Sequence, residues 1–259
     1  MLRLRFRPES RALRLLALLL VGGCAERELP TVQATSETPR LAIAEDVEIV
    51  EGTITAGGSH SCGISVTGVA YCWGSNARGP LGDGTRINRL APVAVQMPPG
   101  VQFVAISAGA HHTVALSTSG AAYAWGNGAY GKLGNGSLSN AYAPVPVQMP
   151  GGVSFAALDA GGQHTAALST AGIAYGWGYN GTGQIGDGTR IILHDIPVPA
   201  LMPPGVLFRS ISAGGQHSMA ISTAGAAYGW GNNYSGVVGD GTTSGRFAPT
   251  PTQGGIVFK

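Results

Sequence analysis

From about residue 47 onward, short apolar runs alternate with clusters of Gly, Ser, Thr, Asn and Pro. One stretch shows the pattern clearly. Phe103-Val104-Ala105-Ile106-Ser107 predicts a strand that ends at the Gly109 turn, and His112-Thr113-Val114-Ala115-Leu116-Ser117 predicts a second. Thr118-Ser119-Gly120 fits a three-residue hairpin loop with glycine at the left-handed position, so Ala121 to Trp125 returns antiparallel. Gly134-Asn135-Gly136 turns the chain again. Pro144 to Met149 then suits a fourth, outer strand, because proline is tolerated at a sheet edge. Small Ala and Gly alternate with Tyr, Trp and Leu, which lets both faces of such a sheet pack closely against neighbours.

The stretch is written four times. Ala56-Gly57-Gly58-Ser59-His60, Ala108-Gly109-Ala110-His111-His112, Ala160-Gly161-Gly162-Gln163-His164 and Ala213-Gly214-Gly215-Gln216-His217 each end thirteen residues before a Trp-Gly. The tryptophans Trp73, Trp125, Trp177 and Trp230 are therefore spaced by 52, 52 and 53 residues. Nine residues past each stands a turn: Gly82-Asp83-Gly84, Gly134-Asn135-Gly136, Gly186-Asp187-Gly188 and Gly239-Asp240-Gly241. A period this long means stacked units that bury their apolar faces only against neighbours. Four short antiparallel strands per unit make a propeller blade. The expected fold is thus all-β, a β-propeller of four repeats at about 47–98, 99–150, 151–203 and 204–254, with a partial strand at 255–259.

Composition changes this picture little. The 42 glycines accompany aromatics at fixed intervals, which speaks against low-complexity disorder. Charge is more telling. Five of the fifteen basic residues (Arg3, Arg5, Arg7, Arg11 and Arg14) sit at the extreme N-terminus. From Cys24 onward ten basic and twelve acidic residues give a net charge of −2, with no basic stripe for a phosphate backbone. Nucleic acid is therefore not an expected partner.

The first 23 residues read as an export signal: an Arg-rich start, the apolar run Leu15 to Val21, then Val21-Gly22-Gly23-Cys24. The apolar run is too short for a permanent membrane span. The small residues ending in cysteine resemble the bacterial lipobox, which implies lipidation of Cys24 and anchoring to the cell envelope. Ala25 after that cysteine suggests the outer membrane of a diderm bacterium. Residues 24–46, with Glu26, Glu28, Glu37, Glu45, Asp46, Pro30 and Pro39, read as a flexible acidic tether.

The pattern Ala-Gly-Gly-Gln-His…Ala-Tyr-Gly-Trp-Gly…Gly-Asp-Gly-Thr, seen in residues 160–189 and 213–242, resembles the regulator-of-chromosome-condensation repeat. The resemblance covers roughly four-fifths of the chain and implies a β-propeller, usually of seven blades. Only four repeats are present. Gly255-Ile256-Val257-Phe258-Lys259 is similar to the opening strand Gly205-Val206-Leu207-Phe208-Arg209. Three explanations stand open: the last strand closes a small ring by pairing with the first blade, open arcs self-associate, or the chain is a truncated product.

Several residue groups carry candidate chemistry. If the first hairpin matches the second, residue 65 pairs with 69 and Cys62 therefore sits opposite Cys72, within disulfide reach. The equivalent positions are Val114/Ala124, Ala166/Gly176 and Met219/Gly229, so cysteine appears at both or at neither. His60, His112, His164 and His217 occupy one position in successive blades, where one metal ion does not reach all four. A histidine hydrogen-bonding within its own blade is the expectation, and no metal or cofactor is expected. The Gly-Asp-Gly segments lack the further carboxylates of a calcium loop and read as tight turns.

No catalytic constellation is apparent. Recognition on repeat scaffolds usually lives in the loops that vary between copies. Those after the Gly-Asp-Gly turns supply Arg86, Arg89, Tyr142, Arg190, His194, Arg246 and Phe247 as candidate partner contacts. The leading expectation is a lipid-anchored, non-catalytic protein-binding propeller. The alternatives are guanine-nucleotide exchange, which the family resemblance implies, an inhibitor that covers a target enzyme, or a fragment without a role of its own.

Overall fold

The structure, a computed structural model, describes residues 47–259. The leader, Cys24 and the tether 24–46 lie outside the described residues. Four antiparallel four-stranded sheets follow one another, each with its strands in chain order. The first blade holds β1 (Thr55–Ala56), β2 (His60–Ile64), β3 (Ala70–Gly74) and β4 (Arg89–Ala94); the second holds β5 (Phe103–Ala108), β6 (His112–Ser117), β7 (Ala122–Gly126) and β8 (Ala141–Pro146). The third holds β9 (Phe155–Ala160), β10 (His164–Ser169), β11 (Ala174–Tyr179) and β12 (Leu193–Pro199). The fourth holds β13 (Phe208–Ala213), β14 (His217–Ser222), β15 (Ala227–Gly231) and β16 (Arg246–Pro251).

The outer strand of the second blade begins earlier than its proline pattern predicts. Ala141 already pairs with Gly126, and a register shift then aligns Val145 with Ala124. The irregularity absorbs the extra residues, and the prolines sit on the free edge as expected.

The apolar residues form one core at each blade junction. Cys62, Ile64, Leu81, Phe103 and Trp125 fill the first, Leu116, Leu133, Phe155 and Trp177 the second, and Leu168, Phe208 and Trp230 the third. At the first junction Phe103 stacks on Trp125 with ring centroids 5.9 Å apart. Cys62 and Cys72 pair directly across β2 and β3 as the hairpin register requires, and they form a disulfide. The bond occupies a fully buried junction position.

The first three repeat histidines, His60, His112 and His164, reach the next blade, which corrects the expectation that they bond within their own. His60 Nε2 lies 2.8 Å from Thr113 Oγ1, His112 Nε2 3.0 Å from Thr165 Oγ1, and His164 Nε2 2.8 Å from Ser218 Oγ. Those hydroxyls donate in turn to the carbonyls of Pro80, Lys132 and Gln184, on the histidine's own blade. A hydroxyl has one proton to give, so the histidine must be the donor through Nε2–H. Nδ1 is left as a buried bare nitrogen in all three rings. The neutral imidazole is enforced by burial, which lowers His60 to about 4 and His164 to about 3 and depresses His112 strongly. Beside the ring no side chain fits: a Cβ on Gly109 would stand 2.6 Å from the Gly161 carbonyl oxygen of the next blade.

The chain's last segment does not pair with the first blade, so the strand-exchange explanation fails. Val257 bridges Ala226, and the Phe258 amide donates to Gly225 at 2.9 Å. The amides of Phe103, Phe155 and Phe208 make the same bond to Gly68, Gly120 and Gly172 of the blades before them. Phe258 therefore stands where a further blade would start.

Two stability outcomes follow from these contacts. Below about pH 6.5 the unfolded chain takes up protons that the buried imidazoles resist, so stability falls as pH drops from about 6.5 toward 4, by up to about 1.4 kcal/mol per unit for each histidine. Thermal melts between pH 7.5 and 4.5 read this, and a flat melting temperature contradicts it. Replacing Cys62 and Cys72 by Ala removes a short-loop constraint worth about 2–3 kcal/mol, measurable as a lower urea midpoint.

Candidate functional site

The loops that follow Trp73, Trp177 and Trp230 share a buried scaffold. Asn76 Nδ2 donates to Asp83 at 2.9 Å while its Oδ1 accepts the Leu81 amide. Asn180 with Asp187 and Asn233 with Asp240 repeat the arrangement. Each aspartate also accepts from the threonine two residues on: Thr85, Thr189 and Thr242. A basic side chain at the start of the outer strand completes the set. Arg89 lies 2.8 Å from Asp83, His194 lies 2.9 Å from Asp187, and Arg246 pairs with Asp240.

These carboxyls are held ionised. Burial alone would raise them, but bonds from Thr85, Arg89 and Asn76 outweigh it and hold Asp83 below the usual carboxylate range. Asp187 is lowered in the same way, against its own burial, by Thr189, His194 and Asn180. For Asp240, burial is again overcome, by Arg246, Thr242 and Asn233, and the carboxyl falls to about 2. The second repeat carries Asn135 where the others have Asp, and Ala141 where they have the basic residue. Acid and cation are lost together, which avoids leaving either charge unpaired.

The other rim candidates pair between blades. The Arg86 guanidinium lies over the Tyr142 ring, 5.7 Å from its centroid, and Arg190 over Phe247 at 4.9 Å. The structure thus gives each of Arg86, Arg89, Tyr142, Arg190, His194, Arg246 and Phe247 a partner inside the molecule. Arg86 and Arg190 keep exposed surface; Arg89, Tyr142, His194, Arg246 and Phe247 are half-buried. The rim's exposed apolar residues are their neighbours Ile87, Leu90, Leu138, Ile191 and Ile192.

The open-arc explanation named no residues at the two ends of the blade stack. In β6 and β10 every residue is buried, whereas β14 leaves His217, Met219 and Ile221 partly exposed on the side that faces a following blade elsewhere. At the other end Trp73 and Ser61 are half-buried, while Trp125, Trp177 and Trp230 are almost wholly enclosed. Trp125 and Trp177 donate their indole N–H to Pro80 and Lys132 of the preceding blade. Among the described residues nothing plays that part for Trp73. The repeat count was the signal: a fixed period has two terminal faces. Near the first blade's hairpin, where Glu51 stands in place of the repeat phenylalanine, a cavity of about 260 Å³ opens between Val50, Ile64, Val66 and Phe103.

The aspartate–arginine pairs predict a coupled response. Asp83→Asn costs about 2 kcal/mol, and adding Arg89→Ala costs at least about 1 kcal/mol less than it does alone. Urea denaturation of the two single variants and the double variant measures this. Strict additivity would remove Arg89 from the loop scaffold.

Residues 18–257 match the RCC1-like domain. The chain is 34% identical over 200 residues to the ultraviolet-B receptor UVR8 of Arabidopsis thaliana, covering 77% of this chain and 45% of the relative. The human WBSCR16 structure superposes with a TM-score of 0.73 at 23% identity, over 81% of this chain and 54% of that one. Yeast RCC1 (Prp20), solved with Kap60, gives 0.68 at 23% identity over 78% and 48%. The chain spans about half the length of these three proteins. With the repeat, the blade topology and the matched domain in agreement, the chain belongs to the RCC1-like domain family of β-propellers.

Proposed function

We propose that this chain is an exported, lipid-anchored propeller arc that binds protein through its blade ends and carries out no catalysis, its first partner being a second copy of itself. The observation that carries the reading is the pair of partly exposed faces on the first and last of the described blades. Inside the chain the same two kinds of face meet three times, a histidine face against a Thr/Ser-and-Trp face. The fourth blade offers His217, Met219 and Ile221, and the first offers Ser61 and Trp73. The two faces have complementary chemistry, so copies join head to tail. Apolar, partly exposed strand faces of this kind favour burial against another protein.

Attachment to the envelope rests on the Arg-rich leader, its short apolar run and Cys24. The tether would then hold the arc away from the membrane. Prp20p of Saccharomyces cerevisiae is described by its binding to Gsp1p and histones. For the present chain, an exchange factor's partner would have to meet the arc beyond the export step, and no loop here favours that reading.

Two measurements test this function. Light scattering on residues 25–259, made in an oxidising compartment, is expected to give a defined oligomer that Met219→Glu converts to monomer. A monomeric parent protein would remove self-association, and cross-linking in cells would then be needed to find a different partner. Cys24→Ser is expected to move the protein from the membrane to the soluble fraction and abolish fatty-acid labelling. Unchanged fractionation would refute the lipid anchor.

A further inference from the structure

At the end of the arc that carries the histidine loops, three basic residues break the repeat together. Arg78 stands where the other copies have Tyr130, Thr182 and Ser235. His111 replaces Ser59, Gln163 and Gln216, and Lys132 replaces Pro80, Gln184 and Val237. All three departures fall in the first two blades and converge on one place. Arg78 and His111 line a cavity of about 110 Å³ with Ser59, Ser75, Ala77 and Pro80. That volume equals roughly three to four waters at about 30 Å³ each, the scale of a small oxyanion.

Among the described residues the ion pairs are those of Asp83, Asp187 and Asp240, and none involves Arg78, His111 or Lys132. Lys132 is only 2% exposed, a rare place for an ammonium without a carboxylate. Burial and the charge of Arg78 bring Lys132 down to about 8. Burial, then Arg78 and Lys132, lower His111. The charges that lower Lys132 and His111 are positive ones. Like charges gathered in a cavity destabilise the empty fold, and an anion placed among them reverses the sign of each interaction.

We propose that the cavity between Arg78 and His111, with Lys132 close by, binds a phosphate-class oxyanion. The donors suit a tetrahedral group: a guanidinium fork, an imidazole and the hydroxyls of Ser59 and Ser75, with the Lys132 ammonium supplying further positive charge. The site lies in the first two blades, away from the open β14 face.

The test is calorimetric titration of the full chain, purified in detergent, with inorganic phosphate and with a phosphate monoester, phosphoserine, at fixed ionic strength set by chloride. Millimolar or tighter binding is expected, weakened about tenfold by Arg78→Gln, the loss of one charge-assisted contact, and weakened less by Lys132→Met, the loss of a nearby charge. The His111 ring, followed by NMR, is expected to titrate at higher pH with phosphate present, because an anion favours imidazolium. This second readout uses the unaltered protein and stands even if Lys132→Met fails to fold. Equal affinity for both ligands identifies a free-ion site, and tighter binding of the monoester identifies a phosphorylated ligand. No heat and no change at His111 would overturn the proposal, as would binding that neither variant weakens.

Discussion

The junction between blades is held by a three-part hydrogen-bond chain, from imidazole to hydroxyl to carbonyl, and the rest of the fold is arranged to keep it dry. His112 gives its Nε2 proton to Thr165, which gives its own to the Lys132 carbonyl back on the histidine's blade. Each link is buried, so breaking one leaves an unsatisfied group at a cost of about 1–3 kcal/mol. The same carbonyl also receives the Trp177 indole N–H, tying the polar chain to the largest apolar side chain of the junction. The neighbouring glycines let the backbones approach. A histidine in this role must remain neutral, and its burial ensures that.

Because stability is assembled junction by junction, the blade stack has no central core and two unlike ends. An internal blade satisfies a histidine on one side and a tryptophan on the other. A terminal blade satisfies one only. This is the thermodynamic form of a repeat protein, in which neighbour interfaces supply most of the folding energy. The rim loops follow a different rule, since their aspartates, threonines and basic residues are consumed in holding each loop's shape.

Much of this was legible along the chain. The 52-residue period, the hairpin register and the opposition of Cys62 to Cys72 follow from turn chemistry and the two-residue period of a strand. The outer strand of the second blade was misplaced by three residues because a register irregularity leaves no mark in the hydrophobic pattern. The rim residues vary between copies, and part of that variation is correlated within each copy: Asp with Arg or His, Asn135 with Ala141. That correlation was present in the sequence, but its meaning depends on which side chains meet.

The sequence by itself determined the number of repeats, the strands within them and their family, since these depend on local periodicity and on glycine at fixed turns. Only the tertiary structure decided where the polar groups of one repeat find partners in the next. A histidine's preference for its own blade or its neighbour is set by distances across a junction, which no one-dimensional spacing encodes. The same holds for the last strand. Its similarity to an opening strand was plain in the residues, but its place on the fourth blade rather than the first was fixed by geometry.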